Sequence, residues 1–129
     1  MCAKEAEQKK LIGKVICFPS GDTNYLIVGL ATFEKPVKPT NISDTQSYAI
    51  YRDLNDGRLF ARERLETLSK AEFIGDRKIK PDVQVKAGQK VLFAGAKRKA
   101  LQQAMGLEET AEVPIKIKQV LPLFYKLVE

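Results

Sequence analysis

The residues in this chain best suited to bind something are aromatic rings set beside arginines. Tyr48, Tyr51 and Phe60 lie within fifteen positions of Arg52, Arg58 and Arg62. Rings that stack, next to guanidinium groups that neutralise phosphate, are how many sheet-based modules hold single-stranded nucleic acid. Small barrels also hold peptides on aromatic faces. The plainer reading puts the rings in the core and pairs the arginines with Asp53, Asp56 or Glu63.

A second basic cluster runs through Arg77-Lys78, Lys80, Lys86, Lys90 and Lys97-Arg98-Lys99. Its last three members open an expected helix, where positive charge opposes the helix dipole. A bound phosphate or carboxylate would relieve that, because free backbone N–H groups point the same way. Phe93-Ala-Gly95 before it gives a strand–Gly–helix order. It is not a phosphate loop of the Gly-x-x-x-x-Gly-Lys-Ser/Thr kind, since the second glycine and that ending are missing. A solvated charged face is the simpler alternative. The net charge of +6 raises the expectation of a polyanionic partner.

Much catalytic chemistry is excluded by composition. There is no histidine, which removes Ser-His-Asp and Cys-His nucleophiles and the commonest transition-metal ligand. Acidic pairs such as Asp53 with Asp56, or Glu63 with Glu66, could act as acid and base. They sit at turns, where charged residues face solvent. No Cys-x-x-Cys and no calcium loop is present. The expectation is therefore a protein that is not an enzyme, with no cofactor and no metal. Cys2 and Cys17 form no disulfide framework, and Cys17 reads as a buried, inert thiol. With a polar start from Met1 to Lys10 and no apolar run near the roughly 18 residues that cross a bilayer, the reading is cytoplasmic, with no membrane.

An apolar fraction of 44% in 129 residues suits one globular domain with a real core. Residues 1–10 read as a tail and 11–129 as that domain. Leu11 to Phe18 and Tyr25 to Phe33 read as strands around the turn residues from Pro19 to Asn24. The second run is apolar almost throughout, so both faces should be buried, and Gly29 within it signals a bulge or bend. Glu34 to Thr45, with Pro36 and Pro39, is a loop.

Ser47–Leu54 and Arg58–Arg62 flank Asn55-Asp56-Gly57, the clearest hairpin signal in the chain. A two-residue loop sets Leu54 against Leu59 and Tyr51 against Arg62. Ile50, Leu54, Leu59 and Ala61 then point inward, and Tyr51, Asp53, Phe60 and Arg62 outward. A three-residue loop shifts this by one position, so the register stays open. Arg64 to Ile74 spaces Leu65, Leu68 and Phe73 or Ile74 at loose helical intervals, with Gly75 as the stop. Val83–Val85 and Val91–Ala94 suggest a further hairpin. Ala96 to Met105 is a helix with Ala100, Leu101 and Ala104 on one stripe, capped by Gly106. Val113 to Leu121 alternates as a half-buried strand. Leu123 to Val128 reads as strand or short helix, completing the chain's own sheet or docking on another subunit.

From Tyr25 to Phe73 the chain resembles a short bacterial domain family of unknown function with an SH3-like barrel. The residues that carry the likeness are Tyr25, Ile27 or Val28, Gly29, Ala31, Tyr48, Tyr51, Leu54, Gly57, Phe60 and Arg62. Where that family has His-Ser-Glu, Trp and Pro, this chain has Thr32-Phe33-Glu34, Phe60 and Glu63. The resemblance implies a fold and no activity.

The sequence therefore predicts an α+β, mainly β fold, an SH3-like small barrel with one or two short helices. It would be a non-catalytic binding module for an anionic partner, nucleic acid or a nucleotide-like ligand. Tyr51 and Phe60 would stack, while Arg52, Arg58, Arg62, Lys97, Arg98 and Lys99 meet phosphate. The alternative is a protein-interaction or homo-oligomerisation module with no nucleic-acid role, its charge serving solubility.

Overall fold

The computed structural model describes residues 11–19, 21–37, 40, 42–78, 89–108, 111–121 and 123–128. The tail from Met1 to Lys10, with Cys2, and the Val83–Val85 half of the expected second hairpin lie outside the described residues.

Among the described residues the architecture is mainly β: a closed six-stranded barrel with two short helices. Strands β2 (Asn24–Phe33), β3 (Tyr48–Asp53) and β4 (Leu59–Glu63) form one antiparallel meander. Strands β6 (Lys90–Phe93), β7 (Val113–Leu121) and β8 (Phe124–Val128) form another. Parallel pairings of β4 with β6 and of β8 with β2 join the two and close the ring. Closure leaves no open edge on these six strands. The C-terminal segment, open between strand and helix in the sequence, is thus strand β8 of the chain's own barrel.

Strand β2 does two jobs. Residues Asn24 to Leu26 pair with β1 (Lys14–Cys17) on one edge, and Leu30 to Phe33 pair with β8 on that same side of the chain's path. The hand-over coincides with the expected bulge, a register shift between Ile27 and Gly29. A side chain at Gly29 would collide with the Tyr125 ring and come 2.7 Å from the Leu123 carbonyl oxygen. Glycine therefore lets β8 approach. As the apolar run implied, both faces of β2 are buried. Leu26, Val28, Ala31 and Phe33 join the barrel core, and Ile27 joins a second cluster outside it with Leu11, Ile16 and Tyr51.

Three expectations need correction. The first strand is shorter than Leu11–Phe18. Residues 11–13 are a turn, with Gly13 at φ 92° donating its N–H to the Ile27 carbonyl at 2.8 Å. The expected helix to Ile74 ends at Lys70 as α1 (Arg64–Lys70). Glu72 onward becomes strand β5 (Glu72–Lys78), which pairs with β1 through Ile16 opposite Phe73. Phe73 and Ile74 favour strands, and the free edge of β1 outweighs a weak helical stripe. Leu65 is accordingly 61% exposed, while Thr67 is buried and donates to the Glu63 carbonyl at 2.9 Å.

The hairpin register also differs from the two-residue case: Tyr51 faces Phe60 and Ala49 faces Arg62. The Asp53 carboxylate accepts the Asn55 N–H at 2.7 Å, and the Asp53 N–H reaches the Arg58 carbonyl at 2.9 Å. That Asx turn makes the loop four residues long and sends Leu54 to solvent, 43% exposed. Ile50, Leu59 and Ala61 are buried in the barrel core as expected.

The expected second helix is α2 (Arg98–Ala104). Gly106, at φ 69°, donates to the Gln103 carbonyl, and Leu107 donates to that of Gln102. This pair of bonds is the Schellman stop. Leu101, from the predicted stripe, is fully buried. Within the loop from Glu34 a bridge pairs Val37 with Ile42, and both side chains are buried in the barrel core.

Candidate functional site

Tyr51 and Phe60 lie on the outer face of the barrel, as their alternation required, but that face is roofed. The β1 strand, the turn before it and α1 cover it, so Tyr51 is 2% exposed and Phe60 half-buried. The two rings stack on each other at 5.7 Å and 16°. Tyr25 meets them edge-on, 5.1 Å from Tyr51 and 5.8 Å from Phe60. Tyr51 therefore offers no open stacking surface, and burial pushes its hydroxyl up to about 12 despite the opposing charge of Arg62.

The cations divide into paired and unpaired. Arg58 holds the Asp56 carboxylate at 2.8 Å and Glu112 at 3.6 Å, and leans over the Phe60 ring. The Arg58 backbone N–H and guanidinium hold Asp56 below its ordinary value. Lys97 pairs with Glu63 at 3.6 Å and donates to Gln46. Arg98 donates to the Ala111 carbonyl at 3.4 Å. Arg52 is half-buried on β3 and Lys99 exposed on α2, each with an interaction of its own. The two basic groups do approach one another. Lys97 meets the end of β4 through Glu63, and Arg58 and Arg98 both reach residues 111–112. Carboxylates are interleaved among them.

A carboxylate also reaches the backbone just ahead of α2. The Glu66 carboxylate accepts the Ala96 N–H at 2.9 Å.

Arg62 is different. Its guanidinium lies 4.3 Å from the centroid of Phe18, and its charge opposes the effect of burial on the Tyr51 hydroxyl. Among the described residues it joins none of the ion pairs, and its Nε is buried with no hydrogen-bond partner. It opens on a cleft of about 670 Å³ between the β1–β2 connection and α1. Phe18 and Tyr25, 5.8 Å apart, stand at the two ends of that connection, with Pro19, Gly21 and Thr23 between them. Ser69 and Lys70 line the opposite side from the end of α1. Lys70 is exposed and pairs with Glu66 at 3.3 Å.

Sequence reasoning missed Phe18, Tyr25, Thr23, Ser69 and Lys70. One signal was available. A turn flanked by two aromatics puts both rings at the mouth of a hairpin, and the observed register, Cys17 opposite Asn24, does this. Nothing local announced that α1 would face them.

Among the described residues no three potential metal ligands gather, and no helix is long and apolar enough to cross a membrane. Compared with family models, curated proteins and solved structures, the chain matches none.

Proposed function

We propose that this protein is a non-catalytic binding module for an anionic partner, nucleic acid or a nucleotide-like ligand, which it engages at the cleft beside Arg62. One observation carries the reading: among the described residues Arg62 joins none of the ion pairs, and it lies over the Phe18 ring on the wall of a ligand-sized cleft. A guanidinium positioned this way retains its charge for an incoming anion, and its planar fork suits phosphate. The net charge of +6 draws such partners in. The reading moves the stacking role from Tyr51 and Phe60 to Phe18 and Tyr25. It leaves Arg58 and Lys97 as structural pairs. It also takes the barrel as a relative of the SH3-like domains that the stretch from Tyr25 to Phe73 resembles, working in the cytoplasm.

The test is salt-dependent binding of a labelled single-stranded oligonucleotide and of a labelled nucleotide. Binding should weaken steeply between low and physiological salt and fall in Arg62→Gln. Binding indifferent to both salt and Arg62 would refute it.

A second reading, a protein-interaction or homo-oligomerisation module, is favoured by strand β5. It pairs only with β1 among the described residues and exposes Phe73 and Ile74. Sedimentation at rising concentration separates the two, since an apolar interface should respond little to salt.

A further inference from the structure

We infer that the cleft between the β1–β2 connection and α1 takes a single small phosphorylated molecule with a planar ring, of the mononucleotide class, and not a nucleic-acid strand. This deepens the anion-binding reading and rests on it.

Volume is the first argument. About 670 Å³ falls within the range of small-ligand cavities, roughly 300–1,000 Å³. The second is the distribution of charge. A strand is held by several cations that track its backbone. Here Arg58 is bound to Asp56 and Glu112, and Lys97 to Glu63. A phosphate chain laid across them would meet those carboxylates at close range. Arg62, with Lys70 as a weaker second cation already shared with Glu66, concentrates the attraction at one spot.

Chemistry of the walls is the third. Phe18, Pro19 and Tyr25 give an apolar and aromatic side on which a planar ring can lie. The guanidinium of Arg62, already parked against Phe18, sits at the margin between the apolar side and the polar one. Thr23 and Ser69 add hydroxyls within the same cleft, suited to a sugar. The Ser69 hydroxyl donates to the Glu66 carbonyl at 3.0 Å, which leaves its lone pairs to accept. One cation, two hydroxyls and one aromatic wall match the phosphate, sugar and base of one nucleotide.

The experiment is calorimetric titration of the full chain at low salt with AMP, GMP, CMP and UMP. Adenosine, inorganic phosphate and a single-stranded oligothymidylate are the comparison arms. Two variants accompany it. Arg62→Gln removes the charge, and Gly21→Glu adds a negative charge at a position with nothing within 4 Å of the new side chain's first atom. At least one monophosphate should bind more tightly than adenosine and than phosphate. Each variant should weaken it by about tenfold or more, as losing a charge-assisted hydrogen bond does. If Arg62→Gln fails to fold, Gly21→Glu decides.

No monophosphate binding more tightly than phosphate alone overturns the inference. Oligothymidylate bound through Arg62 while every monophosphate fails overturns it too, and leaves the anion-binding reading standing. Absence of binding by monophosphates, phosphate and oligothymidylate alike overturns both.

Discussion

The Glu66 carboxylate on α1 accepts the backbone N–H of Ala96 at 2.9 Å, thirty residues later in the chain, just ahead of α2. This one bond ties the two helices together across the end of β4. Gly95 beside it sits at φ 92°, and a side chain there would strike the Glu66 carboxylate and come 3.1 Å from the Arg62 Cγ.

Glu66→Ala should therefore destabilise the fold by about 1–2 kcal/mol, the scale of a lost hydrogen bond to a charged group. The exposed pair with Lys70 adds only a few tenths. Glu66→Gln keeps an oxygen acceptor and should recover most of the loss. Gly95→Ala should cost more than about 1 kcal/mol through its left-handed backbone alone. Urea denaturation of the three variants measures this. Equal losses in Glu66→Ala and Glu66→Gln would show that charge, not the hydrogen bond, matters.

Gly29→Ala is expected to cost about 1–3 kcal/mol, as overpacking does. The new methyl would press on Tyr125 and on the Leu123 carbonyl, both on or beside β8, while β8 is held on its other edge by β7. Gly21→Ala, with open space around it, should stay within about 0.5 kcal/mol. Parallel denaturation curves check the pair. Similar stabilities would mean that β8 shifts freely against β2.

Local chemistry accounts for what the sequence made legible. The bulge at Gly29, the turn at Asn55-Asp56-Gly57 and the stop at Gly106 each follow from residues adjacent in the chain. So does the burial of both faces of β2. What escaped depends on partners far away in sequence. Phe73 and Ile74 look helical beside Leu65 and Leu68 until β1 offers them an edge. Tyr51 looks exposed on an alternating strand until a second layer covers that face. Arg62 looks like Arg58 in sequence. Only the fold reveals that Arg58 lies beside Glu112 and Arg62 beside Phe18. The cleft is assembled from a turn and a helix some forty residues apart, so no local pattern could announce it.

The boundary of α1 can be tested with two leucines. Leu101 on α2 is fully buried in the barrel core, while Leu65 on α1 is 61% exposed. Leu101→Ala should cost about 2–5 kcal/mol through lost burial and the cavity left behind. Leu65→Ala should change stability by less than about 0.5 kcal/mol. Thermal or urea unfolding of both variants is sufficient. A large loss at Leu65 would mean that the longer helical stripe expected from the sequence packs after all.

Three tyrosines set the alkaline limit of the fold. Burial raises the hydroxyls of Tyr48, Tyr51 and Tyr125 above the ordinary value of 10.0, Tyr51 to about 12. Glu63 adds to the effect at Tyr48, and the hydroxyls of Tyr48 and Tyr125 are buried without a hydrogen-bond partner among the described residues. In the unfolded chain all three ionise near the ordinary value, so there the unfolded state has lost protons that the native state keeps. Stability is thus fully present below about pH 10 and declines as pH rises toward and beyond 12. The tyrosinate absorbance of these residues should then appear together with the loss of far-ultraviolet circular dichroism, in one cooperative step. Tyr51→Phe, which removes one of the three late-ionising groups, should move the alkaline midpoint upward. Smooth ionisation of these three tyrosines near the ordinary value, with the secondary structure intact, would show that water reaches Tyr48 and Tyr125 in the barrel core and Tyr51 beneath the second layer.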